Sequence, residues 1–520
     1  MKIISALCAW LCISAVMFFY TRCAEGPAGR YYRQGEKAFE QEQYTSAIAE
    51  LNRSIELKPQ WFKAYCLRGM AYYHLEKYAE ARSDFDKAIA IDPGKASVNI
   101  RLLRGNIWLE EKVYDKALAD FSHAIVLAPR NYHGYMLRGS TYMQQEKYDL
   151  AAADFTRAAA LSPDNASAFF QLGRSCQYRE KFPEALKNYT MAARLDPEND
   201  EIYGNRGVVN YNLDRFDDAI RDLSRAIELN DRESDAFSWR CLAYLEKNQY
   251  DLAFSDAEQV LKLAPDHSFS YYLRGRVYYQ LKDYNRSVAD LDLAIKQSPN
   301  DGEYRLLRSR DYYYLRQYEN ALGDLNAAVQ ADANYEPAYC LRGGIYLTLE
   351  KYELALADFN RALKLDPHHI ENYRIRGEIY SLLQQYEPAR QDFLKCIELL
   401  PHDELAYLDL IELTIITGKN AEVMQLMKKL ENAVPHDQME PASQLMLTYF
   451  HFLDRVINGE NSSGEEKTLT RLMEQKPYPL WDFTLLDAWL KNPKNGLCPA
   501  RCDRIRAMTE QLKKTVPPAE

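Results

Sequence analysis

Ala338–Pro367 reads AYCLRGGIYLTLEKYELALADFNRALKLDP, and it carries two apolar runs at helical spacing. Tyr339, Gly343 and Tyr346 recur at intervals of four and three, as do Tyr352, Ala355, Phe359 and Ala362, so each set lies on one side of a helix. Pro367 forbids further helix, and the stretch therefore reads as two antiparallel helices. Outward from it, small Gly343 returns at Gly35, Gly69, Gly105, Gly139, Gly173, Gly207, Cys241, Gly275, Ser309 and Gly377, with Ile411 in the last position. The spacing is 34 throughout except between Gly69 and Gly105, where two extra residues enter near Gly94 to Ala96, between hairpins.

An aromatic usually stands four before the small residue, as at Tyr65, Tyr135, Tyr203 and Tyr373, and often three after it, as at Trp108, Tyr142 and Tyr380. Another stands nine after it (Tyr44, Tyr78, Tyr148, Tyr284 and their equivalents) and is expected in the core. Aromatic, Gly, Tyr, Ala, Phe, Ala and Pro in this order at period 34 resemble the tetratricopeptide repeat over about residues 28–437. The resemblance implies an all-α fold, a right-handed superhelical solenoid of twelve antiparallel helix pairs. Departures fall in the first, seventh, ninth and twelfth repeats, and terminal repeats depart because they cap the stack.

The residue before the small position is Arg in nine repeats: Arg68, Arg104, Arg138, Arg206, Arg240, Arg274, Arg308, Arg342 and Arg376. Sixteen residues later comes Asp84, Asp120, Asp154, Asp222, Asp256, Asp290, Asp324, Asp358 or Asp392. An antiparallel hairpin sets these at one height, so they are expected to pair. Where Arg becomes Leu172 the acid becomes Asn188, and where it becomes Leu410 the partner is Leu426. The first repeat keeps Glu50 with Gln34, which leaves that carboxylate to solvent or to the Gln amide.

Members of the resembled family hold extended peptides or partner helices on a concave face made by the first helix of each repeat. The family's groove positions lie three before, one after, four after and five after the small residue. Carried over, they give Tyr272, Arg276, Tyr279 and Gln280 in the eighth repeat, Leu306, Arg310, Tyr313 and Tyr314 in the ninth, and Phe170, Arg174, Gln177 and Tyr178 in the fifth. Arg with Tyr suits a carboxylate or a planar group flanked by rings. The Lys and Asn set with which some family members grip a terminal carboxylate is absent, since the corresponding residues are Cys66, Met70, Leu102, Asn106, Met136 and Ser140.

The chain of 520 residues has a formal charge of -10 with acids and bases interleaved, and lacks the basic stripe that a phosphate backbone requires. Residues 1–27 form a first segment. Ile3–Tyr20 is free of charge and reads as a signal peptide or membrane anchor, with repeats outside the cytoplasm favoured. The basic Arg22, Arg30, Arg33 and Lys37 after it argue instead for an anchor with cytoplasmic repeats.

Beyond residue 437 the period is lost. Helices over Pro441 to Ile457, Glu465 to Gln475, Leu480 to Leu490 and Pro499 to Lys514 form a cap or docking module. Cys66, Cys176, Cys241, Cys340 and Cys396 occupy small or apolar repeat positions and read as buried thiols. Cys498 and Cys502, four apart at a helix start, read as a disulfide or as two free thiols. His368 and His369 read as a solvated turn. No phosphate loop, His-Glu-x-x-His or Gly-x-Ser-x-Gly motif occurs, so no cofactor, metal or catalytic residue is expected. The reading is a non-enzymatic scaffold for protein or peptide partners, with an accessory subunit of an enzyme complex, for example one handling glycans or cell wall, as the alternative.

Overall fold

A computed structural model describes residues 26–94, 97–435, 438–474, 483–492 and 497–514. All its regular structure is helical, and the twelve expected pairs are present, from Pro27–Glu40 with Tyr44–Leu57 to Glu404–Ile416 with Asn420–Ala433. The inserted pair of residues falls between Tyr78–Ile91 and Val98–Glu110. The chain divides after Asp266 into two compact bodies. The first holds seven repeats; the second holds five and the C-terminal helices. In both, the helices of a pair pack on each other and neighbouring pairs stack. The apolar segment Ile3–Tyr20 lies outside the described residues, among which no helix is long and apolar enough to cross a membrane.

Each small residue is a close approach between the helices of its own pair. A Cβ built on Gly139 would lie 2.8 Å from Phe155, and one on Gly377 2.6 Å from Phe393. The obstructing residue is sixteen further on each time, and its size answers the small position. Where Cys241 replaces Gly the residue opposite shrinks to Ala257, and both are fully buried.

Beside this contact all nine arginines meet their aspartates side-on. Arg342 Nε donates to Asp358 Oδ2 at 2.8 Å and its Nη2 to Oδ1 at 2.6 Å, the fork geometry that suits a carboxylate. Aromatics four before the small residue lie against these guanidiniums, as Tyr203 does 5.2 Å from Arg206 and Tyr339 5.3 Å from Arg342. The remaining nitrogen, Nη1, leaves the repeat. It donates backward to Asn52 from Arg68, Ser122 from Arg138, Ser224 from Arg240, Asn326 from Arg342 and Asn360 from Arg376, at 2.6–3.1 Å. Arg104 reaches Asp86 and Arg308 reaches Asp292 in the same way.

The exceptions resolve locally. Asn188 turns to its own helix and donates to Glu184 O at 2.8 Å, while Leu410 and Leu426 join an apolar core. Glu50 keeps part of its side chain in solvent, and Arg53, one turn on, donates to it at 3.2 Å.

The two helices of a pair are joined by a left-handed residue seven after the small position. Eleven of these are not glycine, running from Glu42 (φ 58°) to Gln384 (φ 58°), and the twelfth is Gly418 (φ 73°). In the tenth repeat Glu350 N donates to Leu347 O at 2.9 Å and Lys351 N to Tyr346 O at 2.8 Å, which satisfies the last carbonyls of the first helix. The aromatic two residues further on is half-buried rather than in the core. At this bend it can still meet the next repeat: Tyr148 stacks on Tyr178 at 4.9 Å, Tyr284 on Tyr314 at 4.9 Å and Tyr44 on His74 at 4.7 Å.

After the repeats come helices Pro441–Asn458, Ser463–Glu474, Thr484–Lys491 and Pro499–Lys513; residues 475–482 lie outside the described ones. One core runs from Phe393 and Leu408 of the last repeats through Tyr449, Phe450 and Phe452 to Leu486 and Ile505. Within it the Tyr449 hydroxyl and Thr509 Oγ1 are 2.5 Å apart. No disulfide joins Cys498 to Cys502 in this structure: the first is exposed just before its helix and the second lies in that helix's opening turn.

Candidate partner-binding groove

The proposed groove positions in the eighth and ninth repeats divide into packed and open residues. Tyr272 is buried, donates to Glu303 at 2.5 Å and stacks on Tyr304 at 4.8 Å, so its hydroxyl serves the joint between repeats. Burial pushes that phenol above its usual range. Arg276 lies 5.9 Å from the Tyr272 ring centre. Tyr279, Tyr313 and Tyr314 form one aromatic group, with Tyr314 edge-on to both others at 6.0 and 5.6 Å. Tyr314 keeps half its surface open, and Arg310 is exposed. Neither Arg276 nor Arg310 has a carboxylate partner among the described residues. In the fifth repeat, by itself in the other body, Phe170 is buried against Tyr189, Arg174 lies 6.0 Å from the Phe170 ring, and exposed Tyr178 stacks on Tyr148.

Helix Gly302–Tyr314, which carries Tyr313 and Tyr314, also carries a carboxylate that sequence reading missed. Asp311 is fully buried, and accepts from Ser287 Oγ at 2.7 Å. Its Oδ1 is enclosed with no hydrogen-bond partner among the described residues. Burial pushes its carboxyl up to about 7, against the opposing Ser287 hydrogen bond.

The same family positions, moved to the eleventh repeat, are Arg374, Glu378, Ser381 and Leu382, and all four line one cavity of about 840 Å³. Leu347 of the tenth repeat, Leu408, Asp409 and Glu412 of the twelfth, and Ser443 and Met446 of helix Pro441–Asn458 are among the other residues of the wall, with His402, Asp403, Glu404 and Glu440 also lining it. The cleft exists because helix Pro441–Asn458 packs on Glu404–Ile416 and closes what the periodic repeats leave open. Its charge is unbalanced. Arg374 is spent on Glu371, at 2.7 Å, and on Glu378. Asp409 and buried Glu412 add two further acids to its wall. Asp409 Oδ2 and Ser381 Oγ are enclosed without a hydrogen-bond partner among the described residues. Burial first, and then the Glu378 charge, hold the Asp409 carboxyl well above the usual range. A group with N–H donors and a positive charge entering the cleft would satisfy both atoms and relieve that cost. The sequence carried the positions but no reason to prefer these repeats, because the closing helix lies outside the period.

Comparison with known proteins follows the same periodicity. Models described as Tetratricopeptide repeat match residues 62–95, 132–165, 200–232, 242–310, 306–370 and 343–408, and one described as TPR repeat matches 173–214. Human Tetratricopeptide repeat protein 16 is 30% identical over 104 residues, 19% of this chain and 12% of that protein. The Hsp70-Hsp90 organizing protein of Triticum aestivum is 34% identical over 59 residues, 11% of this chain and 10% of that protein. The chain thus spans only a small part of the length of these curated relatives. Among solved structures, yeast Tom70 covers 85% of this chain and 99% of its own, at 15% identity and a TM-score of 0.42.

Proposed function

Because the chain belongs to the tetratricopeptide repeat family, we propose that it is a non-enzymatic scaffold that holds an extended segment of a protein partner along the first helices of its eighth to twelfth repeats. The observation that carries this reading is the cleft of the eleventh and twelfth repeats, where Asp409 Oδ2 and Ser381 Oγ are enclosed without a hydrogen-bond partner among the described residues. A lysine or arginine side chain of the partner enters there. An acidic or planar group of the partner meets Arg276 and Arg310, beside the ring of Tyr314. The name of one relative, an Hsp70-Hsp90 organizing protein, is in keeping with a role in bringing proteins together. From the uncharged run Ile3–Tyr20 we place this work outside the cytoplasm, which protease protection of intact cells would test.

Selection of peptides from a random library against the full chain tests the groove. Selected peptides carry a basic residue. Its replacement by Ala, or Asp409→Asn with Glu412→Gln, weakens binding at least about tenfold, as loss of a charge-assisted contact does. Selected peptides without a basic residue, or binding indifferent to the double substitution, would overturn the cleft. Arg276→Glu with Arg310→Glu tests the other end independently.

A further inference from the structure

On the joint between the tenth and eleventh repeats, three chemically different donors converge. Glu336 opens helix Glu336–Thr348 and Cys340 follows one turn later, while His369 caps helix Ile370–Leu382. Their ligand atoms all lie within 4.8 Å of one another. Cys340 Sγ donates to Glu336 Oε1 at 2.7 Å, and the buried Asn372 amide donates to both, at 3.0 Å to the carboxylate and 3.0 Å to the sulfur. All three candidate ligands are partly shielded from water.

We propose that Glu336, Cys340 and His369 form a zinc site that clamps the tenth repeat to the eleventh. Thiolate, imidazole and carboxylate together are the donors that Zn²⁺ takes, at about 2.3 Å for sulfur and about 2.0–2.2 Å for nitrogen and oxygen. A tetrahedral arrangement with those bonds separates sulfur from oxygen by about 3.5 Å, so the Glu336 side chain swings outward by less than the length of one bond. His369 gives up little on turning its ring to the ion, since the cap it accepts from Asn372 N is 3.4 Å long. The Asn372 amide, turned over, offers its oxygen as fourth ligand, and water is the other source of that bond.

Binding forms a zinc–sulfur bond and sends the thiol proton to solvent, so three ligands carrying two negative charges neutralise the ion. Because the thiol must lose its proton to bind, affinity rises with pH. Cys340 and Arg374 occupy the same position in successive repeats, so the clamp borders the acidic cleft without sharing a ligand with it.

Cobalt(II) titration of the reduced, metal-free full chain tests the site. One equivalent produces a thiolate-to-cobalt charge-transfer band with the strong visible bands of tetrahedral cobalt, and zinc bleaches both. The band is lost in Cys340→Ser. His369→Ala and Glu336→Gln each lower affinity by about tenfold or more, the least that loss of a ligand costs where loss of an outer partner already costs 10–100-fold. Cys498→Ser with Cys502→Ser keeps the band. The circular dichroism and melting of metal-free Cys340→Ser are expected to match wild type, which separates a missing site from a misfolded chain. Absence of the charge-transfer band in wild type, or its survival in Cys340→Ser, overturns the site. Peptide binding in the groove is read separately, so either proposal can fail without the other.

Discussion

Arg342 and Asp358 are both largely withdrawn from water, with side chains 15% and 7% exposed, and each supplies what the other would lack. Arg342→Leu leaves a buried carboxylate with no cation and is expected to cost about 3 to 5 kcal/mol, whereas Arg342→Leu with Asp358→Leu recovers most of that loss. Chemical unfolding of the single and double variants measures the coupling, and additive losses would contradict it. The chain has made the double replacement itself at Leu410 and Leu426, which pack in the core that leads to the C-terminal helices. This pair was legible in the sequence because the arginine and aspartate change together from repeat to repeat. The volume match between Cys241 and Ala257 was equally present but lay unnoticed among apolar residues, where size varies for many reasons. Convergence of Glu336, Cys340 and His369 was not legible, because it occurs once and the histidine stands in a turn whose neighbours are exposed.

Helix boundaries came almost entirely from the period, since twelve copies of one apolar pattern average out the ambiguity of any single one. The bend between the two helices did not. Its left-handed residue is Glu, Asp, Asn, Lys, Arg or Gln as often as the repeats require a polar surface, and none of these marks a turn as Gly does. A side chain with a Cβ in this conformation costs about 1–2 kcal/mol, while glycine costs entropy in the unfolded chain. Glu146→Gly is therefore expected to raise stability by up to about 1 kcal/mol. Gly418→Ala, at φ 73°, is expected to lower it by about 1 kcal/mol or more. Urea midpoints read both, and a destabilised Glu146→Gly would show that its side chain holds the bend by contacts of its own.

In the second body as a whole, periodic and aperiodic parts share one core, and the cleft depends on that union. Deleting residues 479–520 removes Thr509 from the Tyr449 hydroxyl and uncovers Phe452 and Leu453. The melting temperature is expected to fall and dye-accessible apolar surface to appear; an unchanged melt would mark the C-terminal segment as a separate docking module. The backward reach of Arg68, Arg138, Arg240, Arg342 and Arg376 has a different consequence. Each finds its third acceptor in the repeat before it, so a nascent chain leaving the ribosome amino end first presents every such arginine to an acceptor already synthesised. Removing early repeats strips an acceptor from the new first hairpin, while stopping synthesis late leaves every completed arginine contact intact.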